Sequence, residues 1–346
     1  MREQIFCAFW QKTKENTARL LRVYGKEREL LLPEEIEHFP LTEIAPYCFA
    51  ATERLPKEEF FLTEIRVTSE DEAVYIIEQE RRTKREWDEQ ANDFRVLSGE
   101  YVTKIALPDS VVTIGSLAFY NCVNLKELFF GKDLTEVGSD AFMNCRDLTT
   151  LCIHGDVRQK TGLKQILSQI SSAIEVIFKT KKEQIKVFYP EYQEFYDEIA
   201  PAHIFSRKME GEGFRARQSF TDGVVDLARY DLIFPRACVE ENEDTLLHLA
   251  MDRLLYPVDL KKEARVLYEN YVKAHGEALM KGLIEQHALF EIGFFCEKQY
   301  VSEEVLEKAI AFATDCEWAE GVASLMDWKR KFFQKEEKDR YTFDEF

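Results

Sequence analysis

Residues Gly211-Glu212-Gly213-Phe214-Arg215-Ala216 carry a GxGxxA spacing, and Asp231 stands 20 residues after Gly211. Such a spacing cradles a dinucleotide only when a strand precedes it and a helix N-terminus follows, so that free amides meet the phosphates. Here the next residues, "RQSFTDGVV", read as a hairpin centred on Asp222-Gly223. The glycines are therefore assigned to a turn, and no cofactor is expected. Arg215 and Arg217 flank Ala216, with Phe214 and Phe220 close by. Arginines beside aromatics either hold an incoming carboxylate or phosphate or pair with local acids. Phe214, Arg215 and Arg217 are thus the candidate anion or ligand contacts.

Other chemistry is harder to find. The six histidines, His38, His154, His203, His248, His275 and His287, form no HExxH or other compact metal spacing. There is no GxSxG elbow and no phosphate-binding loop. No catalytic residue and no metal site is expected, and the protein is read as a binder rather than an enzyme. Lys and Arg total 46 against 64 Asp and Glu, a net charge of -18. A body this acidic repels phosphate backbones, so neither nucleic acid nor an anionic membrane is an expected partner. Eight cysteines without a CxxC pair, a start without a secretory leader and no long apolar run point to the cytoplasm. The cell surface is the alternative if a leader has been removed.

The elements that must position any site are set by repetition. At an offset of 23, Ile105, Leu107, Val111, Ile114, Gly115, Ala118, Phe119, Asn121, Cys122 and Leu125 fall on Leu128, Phe130, Leu134, Val137, Gly138, Ala141, Phe142, Asn144, Cys145 and Leu148. A third start follows at Leu151 and Ile153. Self-similarity at a period of about 20 to 29 residues marks a leucine-rich solenoid. Ile105 and Leu107 alternate as a short inward-facing strand, which Pro108 ends. Gly115 is expected to take a backbone conformation that a side chain disfavours. Ala118 and Phe119 fill the next bend, and Asn121 satisfies free backbone groups in the turn. Cys122 and Cys145, on adjacent coils, are close enough for a disulfide by Cα spacing alone. Burial as small hydrophobes is the expected outcome.

This spelling resembles the BspA-like class of bacterial leucine-rich repeats, with its Pro after the strand, "IG", "AF" and a Cys-containing turn. The resemblance is specific through residues 102 to 155. A looser copy runs from Leu30 to Ala50, where Leu32-Pro33, Ile44 and Phe49 keep the pattern and Ala45 replaces the glycine. Leu62 to Val67 looks like the next strand. The resemblance implies contacts with proteins or peptides, and in some relatives adhesion at the cell surface.

The expected class is α+β: a short leucine-rich-repeat solenoid packed against a mostly α-helical C-terminal region of antiparallel hairpins. Residues 1–29 are read as an N-terminal cap made of a helix and a strand. Repeats occupy 30–155, with a charged insert at about 69–92 whose 78–93 portion reads as a solvated helix or loop. Residues 156–240 form a mixed α/β connecting region. It holds a helix at "TGLKQILSQISS" and strands at "IEVIF" and "IKVFY", joined by the basic "KTKKEQ". Residues 241–346 read as six helices by their apolar spacing. Their pairing and the phrase "LLHLA" loosely resemble ankyrin-type hairpins, without the ankyrin turn signatures. The expected function is a non-catalytic interaction or scaffold protein that binds a protein or peptide partner on the repeat surface. The alternative is a ligand-binding or enzymatic domain in 160–240, with the repeats as a recognition arm.

Overall fold

The alternation that begins at Ile105 builds a column of inward side chains. Leu30, Ile105, Leu128, Leu151 and Val176 stand in register on neighbouring parallel strands, and each is buried. The computed structural model describes residues 2–52, 59–70, 73–90, 93–199 and 204–333 and divides into two compact units, Met1–Glu241 and Asn242–Phe346. In the first unit these strands make a six-stranded sheet: Gln184–Tyr189, Ile174–Lys179, Thr150–His154, Glu127–Gly131, Lys104–Ala106 and Glu29–Leu31, in spatial order. A second sheet carries the opposite arc of each coil. There Ile44, Ile114 and Val137 are aligned on parallel strands. The loose copy at Leu30 to Ala50 is thus the first coil, and it stacks directly on the coil that begins at Lys104.

The bend between the sheets explains the rest of the repeat. Phe49 and Phe119 stack at 5.1 Å and 18°, and Phe119 and Phe142 at 4.9 Å and 8°. The thiol of Cys122 donates to the carbonyl of Phe49, and that of Cys145 to Phe119, each at 3.2 Å. The motif cysteine therefore ties each coil to the aromatic of the coil before it. All eight cysteines are free. Asn121 and Asn144 take left-handed backbone, φ 59° and 64°, which asparagine tolerates better than other side chains. Asn144 Nδ2 also donates to Asn121 Oδ1 at 2.7 Å. Gly115 and Gly138 do not have positive φ. They are needed for close approach instead. A Cβ at Gly115 would sit 2.5 Å from Pro46 N, and one at Gly138 would sit 2.3 Å from Ser116 N.

Three expectations are corrected here. Among the described residues of the first 29 there is no helix. Arg2–Lys12 and Ala18–Gly25 pair antiparallel in the second sheet. The run Phe6 to Trp10 is buried on both of its faces, which a strand inside a layered core achieves and a helix on a surface does not. Leu62 to Val67 is not a repeat strand. It lies in Phe61–Glu70, antiparallel to Arg2–Lys12, and Ala73–Arg82 pairs beyond it. The charged insert is therefore largely a β-hairpin arm, and among its described residues only Lys84–Gln90 is helical. Its charges are matched across strands, with Arg82 3.3 Å from Glu64 and Arg66 3.9 Å from Glu78. Trp87 anchors the helix on Phe9 and Tyr24, at 5.3 and 4.9 Å between ring centres. Residues 71–72 and 91–92 of the insert lie outside the described residues, as does His203.

The solenoid also runs on past its expected end at 155. Ile174–Lys179 pairs in parallel with Thr150–His154, and Gln184–Tyr189 then returns antiparallel to close the sheet. In this last coil the helix Leu163–Leu167 replaces the aromatic bend, burying Leu163, Ile166 and Leu167. Gln169 finishes the ladder. Its side-chain oxygen accepts from Phe142 N at 3.1 Å, and its amide donates to Gly138 O at 3.0 Å. The glutamine oxygen thus replaces the carbonyl that a regular next bend would have offered Phe142 N, as Ala141 O does for Phe119 N.

The second unit contains the six expected helices: Glu243–Leu255, Lys262–Ala274, Gly276–Glu285, Leu289–Glu297, Glu303–Asp315 and Ala319–Phe333. Asn242 and Ser302 cap two of them, accepting from Thr245 N at 2.9 Å and Val305 N at 3.3 Å. His287 and Glu317 hold left-handed backbone in two equivalent short turns. The ring of His287 stacks on Trp318 at 4.7 Å and 7°. Gly276–Glu285 packs on Glu303–Asp315, and Leu289–Glu297 packs on Ala319–Phe333.

Candidate functional site

The candidate contacts Phe214, Arg215 and Arg217 come together around the turn at Pro190 to Tyr192. Gly213 opens a helix of four residues, Gly213–Ala216, and a Cβ there would fall 2.1 Å from Pro190 O. Gly211 has φ 89°. The two glycines thus serve a left-handed turn and a close backbone approach. Arg217 is only 3% exposed, and its guanidinium points inward. It donates to Pro190 O at 2.5 Å, Gly213 O at 2.9 Å and Ser172 O at 2.6 Å, and lies 5.2 Å over the Tyr192 ring. Burial pushes its pKa down to about 10. Arg215 is paired with Glu212 at 2.6 Å, and Arg236 meets the same carboxylate at 2.9 Å. Burial raises the Glu212 pKa, while Arg215 pulls it the other way. Phe214 lies edge-on to Tyr192 at 5.5 Å. In this geometry Arg217 locks three chain segments through their carbonyl oxygens.

A different set of residues forms an open site. Where the first sheet's strands turn toward the second, a cleft of about 1110 Å³ is lined from three coils, a hairpin turn and Val74 of the strand Ala73–Arg82. Leu32 and Glu34 come from the first coil, Leu107, Pro108 and Asp109 from the second, and His154, Gly155 and Asp156 from the fourth. Lys179 to Gln184 close one side. Buried Leu32, Leu107 and Pro108 give part of the lining an apolar character.

Three of the four carboxylates that line this cleft are engaged by the fold. Glu34 accepts from Asp109 N and Ser110 N, both at 3.1 Å, and so caps the bend of the next coil. Asp109 Oδ1 lies 2.9 Å from His154 Nδ1. This pair crosses the intervening coil at Gly131, where a Cβ would come within 2.8 Å of Asp109 Oδ1. Pro108, Gly131 and His154 hold the same place in successive coils at offsets of 23. The missing side chain in the middle lets the outer two coils meet. Asp156 accepts from Arg158 N at 2.8 Å.

The hairpin turn adds positive charge. Thr180 N donates to Glu183 O at 2.9 Å, and Thr180 Oγ1 accepts from Lys182 N and Glu183 N at 3.3 and 3.1 Å. These bonds fix Lys181 and Lys182 at the turn's tip, exposed and without a carboxylate partner among the described residues. No third metal-ligand type joins His154 and Asp109 at ligand distance among the described residues. An imidazole, engaged acids, free ammonium groups and a partly apolar lining are recognition chemistry. Sequence reasoning noted the basic "KTKKEQ" but not that the turn bends back over strand ends from distant coils. The readable signal was the Pro108, Gly131, His154 column.

Residues 95–190 match the BspA type Leucine rich repeat region, in six copies. The chain thus carries this repeat, over a segment that extends past the expected end at 155. The crystal structure of a leucine rich cell surface protein from Faecalibacterium prausnitzii A2-165 is 19% identical over 42% of this chain, with a TM-score of 0.24. The match covers 35% of that protein's chain. A comparison with curated proteins gives no match. Among the described residues, no helix is long and apolar enough to cross a membrane.

Proposed function

We propose that this chain, as a carrier of BspA-type leucine-rich repeats, is a non-catalytic interaction or scaffold protein that seats a protein or peptide partner in the cleft at its strand ends. The observation that carries this reading is the cleft itself. Its lining is drawn from several coils, so the stacked repeats create a surface that no single repeat owns. Its partly apolar lining and fixed polar rim suit a segment of polypeptide. Eight unbridged thiols, six of them buried, support a reducing compartment such as the cytoplasm. The paired helices of the second unit, with left-handed turns at His287 and Glu317, support an ankyrin-like stack and a further contact surface.

The test is capture of partners from lysate of the source organism on the immobilised full chain. Its control is Ala106→Trp, which fills the cleft from a half-exposed position in its lining. A partner held by the wild type and lost by a variant with unchanged circular dichroism supports the reading. A partner held equally by both places the interface elsewhere and refutes it.

A further inference from the structure

We infer that the chain forms a two-fold dimer in which the strand Ala73–Arg82 pairs antiparallel with the same strand of a second copy, centred on Tyr75. This strand ends the second sheet, where Phe61–Glu70 is its one neighbour. Among the described residues its backbone makes no bond outside that ladder. A row of amides and carbonyls therefore faces outward, and another extended backbone is what answers such a row. At 10 residues the edge is long. Edges of this length are normally blunted by proline, charge or a bulge. Here that protection lies in the C-terminal half. Ile77 is the bulged residue, since Ile76 pairs with Val67 and Glu78 with Arg66. Beyond it Arg81 and Arg82 are held by Glu37 and Glu64. Before it Val74, Tyr75 and Ile76 carry no charge, yet Tyr75 is 54% exposed, Ile76 37% and Ile77 47%. Three large apolar residues in a row thus stand in water beside open backbone.

A second copy is the occupant because this segment is its own complement. Opposed residues of an antiparallel pair point to the same face, so a two-fold axis passes through a residue rather than between two. With the axis at Tyr75, Tyr75 opposes its own copy and Val74 opposes Ile76 twice, apolar against apolar throughout. The bulge at Ile77 then ends the ladder before the charged half begins. An axis at Ile76 would set Val74 against Glu78 and put the bulge inside the ladder. An axis at Glu78, Gln79 or Glu80 would set glutamates against one another. Two-fold contacts of this self-complementary kind are the commonest route to homodimers. A ladder of about five residues per copy buries less than the roughly 1,200 Å² of stable interfaces. Two chains of net charge -18 also repel. The dimer is therefore weak, with a dissociation constant on the order of 100 µM, and it tightens as salt screens the repulsion.

The test is sedimentation velocity of the full chain from about 5 to 500 µM, at low and at high salt. The wild type is expected to move from monomer toward dimer over this range, and further at high salt. Tyr75→Lys sets two ammonium groups against each other at the axis, an expected loss of about tenfold in dimer affinity. The side chain is exposed, so the melting temperature should stay put. Register is read by Tyr75→Cys and Glu80→Cys under a copper–phenanthroline oxidant. The wild type, with exposed Cys238 and Cys316, gives the background. Tyr75→Cys is expected to link into a covalent dimer, because position 75 opposes itself across the axis. Glu80→Cys is expected to stay at background, its two copies standing about 34 Å apart along the strands. A monomer at every concentration overturns the inference, even one that binds an Ala-Val-Tyr-Ile-Ile peptide, since the edge then serves a foreign strand. So does a dimer that Tyr75→Lys leaves unweakened, or one that links equally through position 80. A dimer that weakens as salt rises also overturns it, because charge rather than the apolar edge then holds the copies together.

Discussion

Replacing Phe119 with Ala puts the repeat's construction to a quantitative test. Phe119 is fully buried, with Phe49 on one side and Phe142 on the other at about 5 Å. Removing a buried Phe side chain costs about 3–5 kcal/mol, and the spread reflects how far the surroundings collapse into the cavity. Here they cannot collapse far. Phe119 N donates to Ala141 O at 2.8 Å, and Phe119 O accepts from Cys145, so the backbone is pinned to its neighbour. The expected cost is therefore near the top of that range, about 4–5 kcal/mol. Phe142 stands at the end of the stack, with one stacked ring and the Gln169 side chain beyond it. That side chain can relax, so Phe142→Ala should cost about 1 kcal/mol less, roughly one aromatic pair. Hydrogen exchange read by mass spectrometry over 113–154 is the assay, because it localises the loss to the coils. A cost of about 4 kcal/mol appears as nearly a thousandfold rise in the opening equilibrium. A rise below tenfold for Phe119→Ala, or a larger effect from Phe142→Ala, would refute the stacking argument.

Gly131→Ala should displace Asp109, whose Cα lies 2.5 Å from the added Cβ, and so break its pair with His154. The expected cost is about 1–3 kcal/mol with a shifted His154 NMR resonance, and an unshifted resonance would count against the bridge across Gly131. Of eight thiols, only Cys238 and Cys316 are exposed, and burial raises Cys7 and Cys296 to about 12. Ellman's reagent should therefore titrate two thiols in the native protein and eight in denaturant, and more than two fast native thiols would contradict the described burial. Burial pulls the Glu37 pKa upward, but bonds from Arg81, at 3.0 and 3.1 Å, and from Thr63 win and hold it below 4.5. Its stabilisation is complete above the unfolded value and fades as pH falls through the lower folded one. Glu37→Gln should flatten that acid limb in pH-dependent urea melts, and superimposable limbs would remove Glu37 as a cause.

How much was legible follows from what each residue answers to. The coils from Ile105 onward could be read because every position meets its own copy one coil away, so the pattern repeats as the environment does. The first coil was readable through Leu32, Ile44 and Phe49 even though more than fifty residues separate it from its neighbour in the stack. The hairpin at Ile174 and the six helices were readable because period two and period 3.6 show directly in their apolar spacing. The opening strands hid because burial on both faces erases the alternation that identifies a strand. The arm at Phe61–Arg82 hid for the opposite reason. Tyr75, Ile76 and Ile77 stay exposed while Glu64 and Arg82 pair across strands, so polarity does not report which way a side chain points.

The cleft was least legible, and the reason is geometric. Its parts answer to residues on other coils rather than to sequence neighbours. Asp109 reaches His154, 45 positions away, because Gly131 between them has no side chain. Gln169 takes the place of the regular bend that the last coil lacks, reaching Phe142 and Gly138. In a solenoid the spacing that matters is the coil rather than the residue. A glycine or a glutamine that breaks the repeat is therefore informative in proportion to how strictly its neighbours keep it. Arg217 illustrates the converse. It was a candidate anion contact because arginines beside aromatics either hold an anion or pair with local acids, yet it pairs with neither, and three carbonyl oxygens from 172, 190 and 213 accept its hydrogen bonds inside the protein. Among the described residues the turn lysines Lys181 and Lys182 have no such acceptors, and both are exposed.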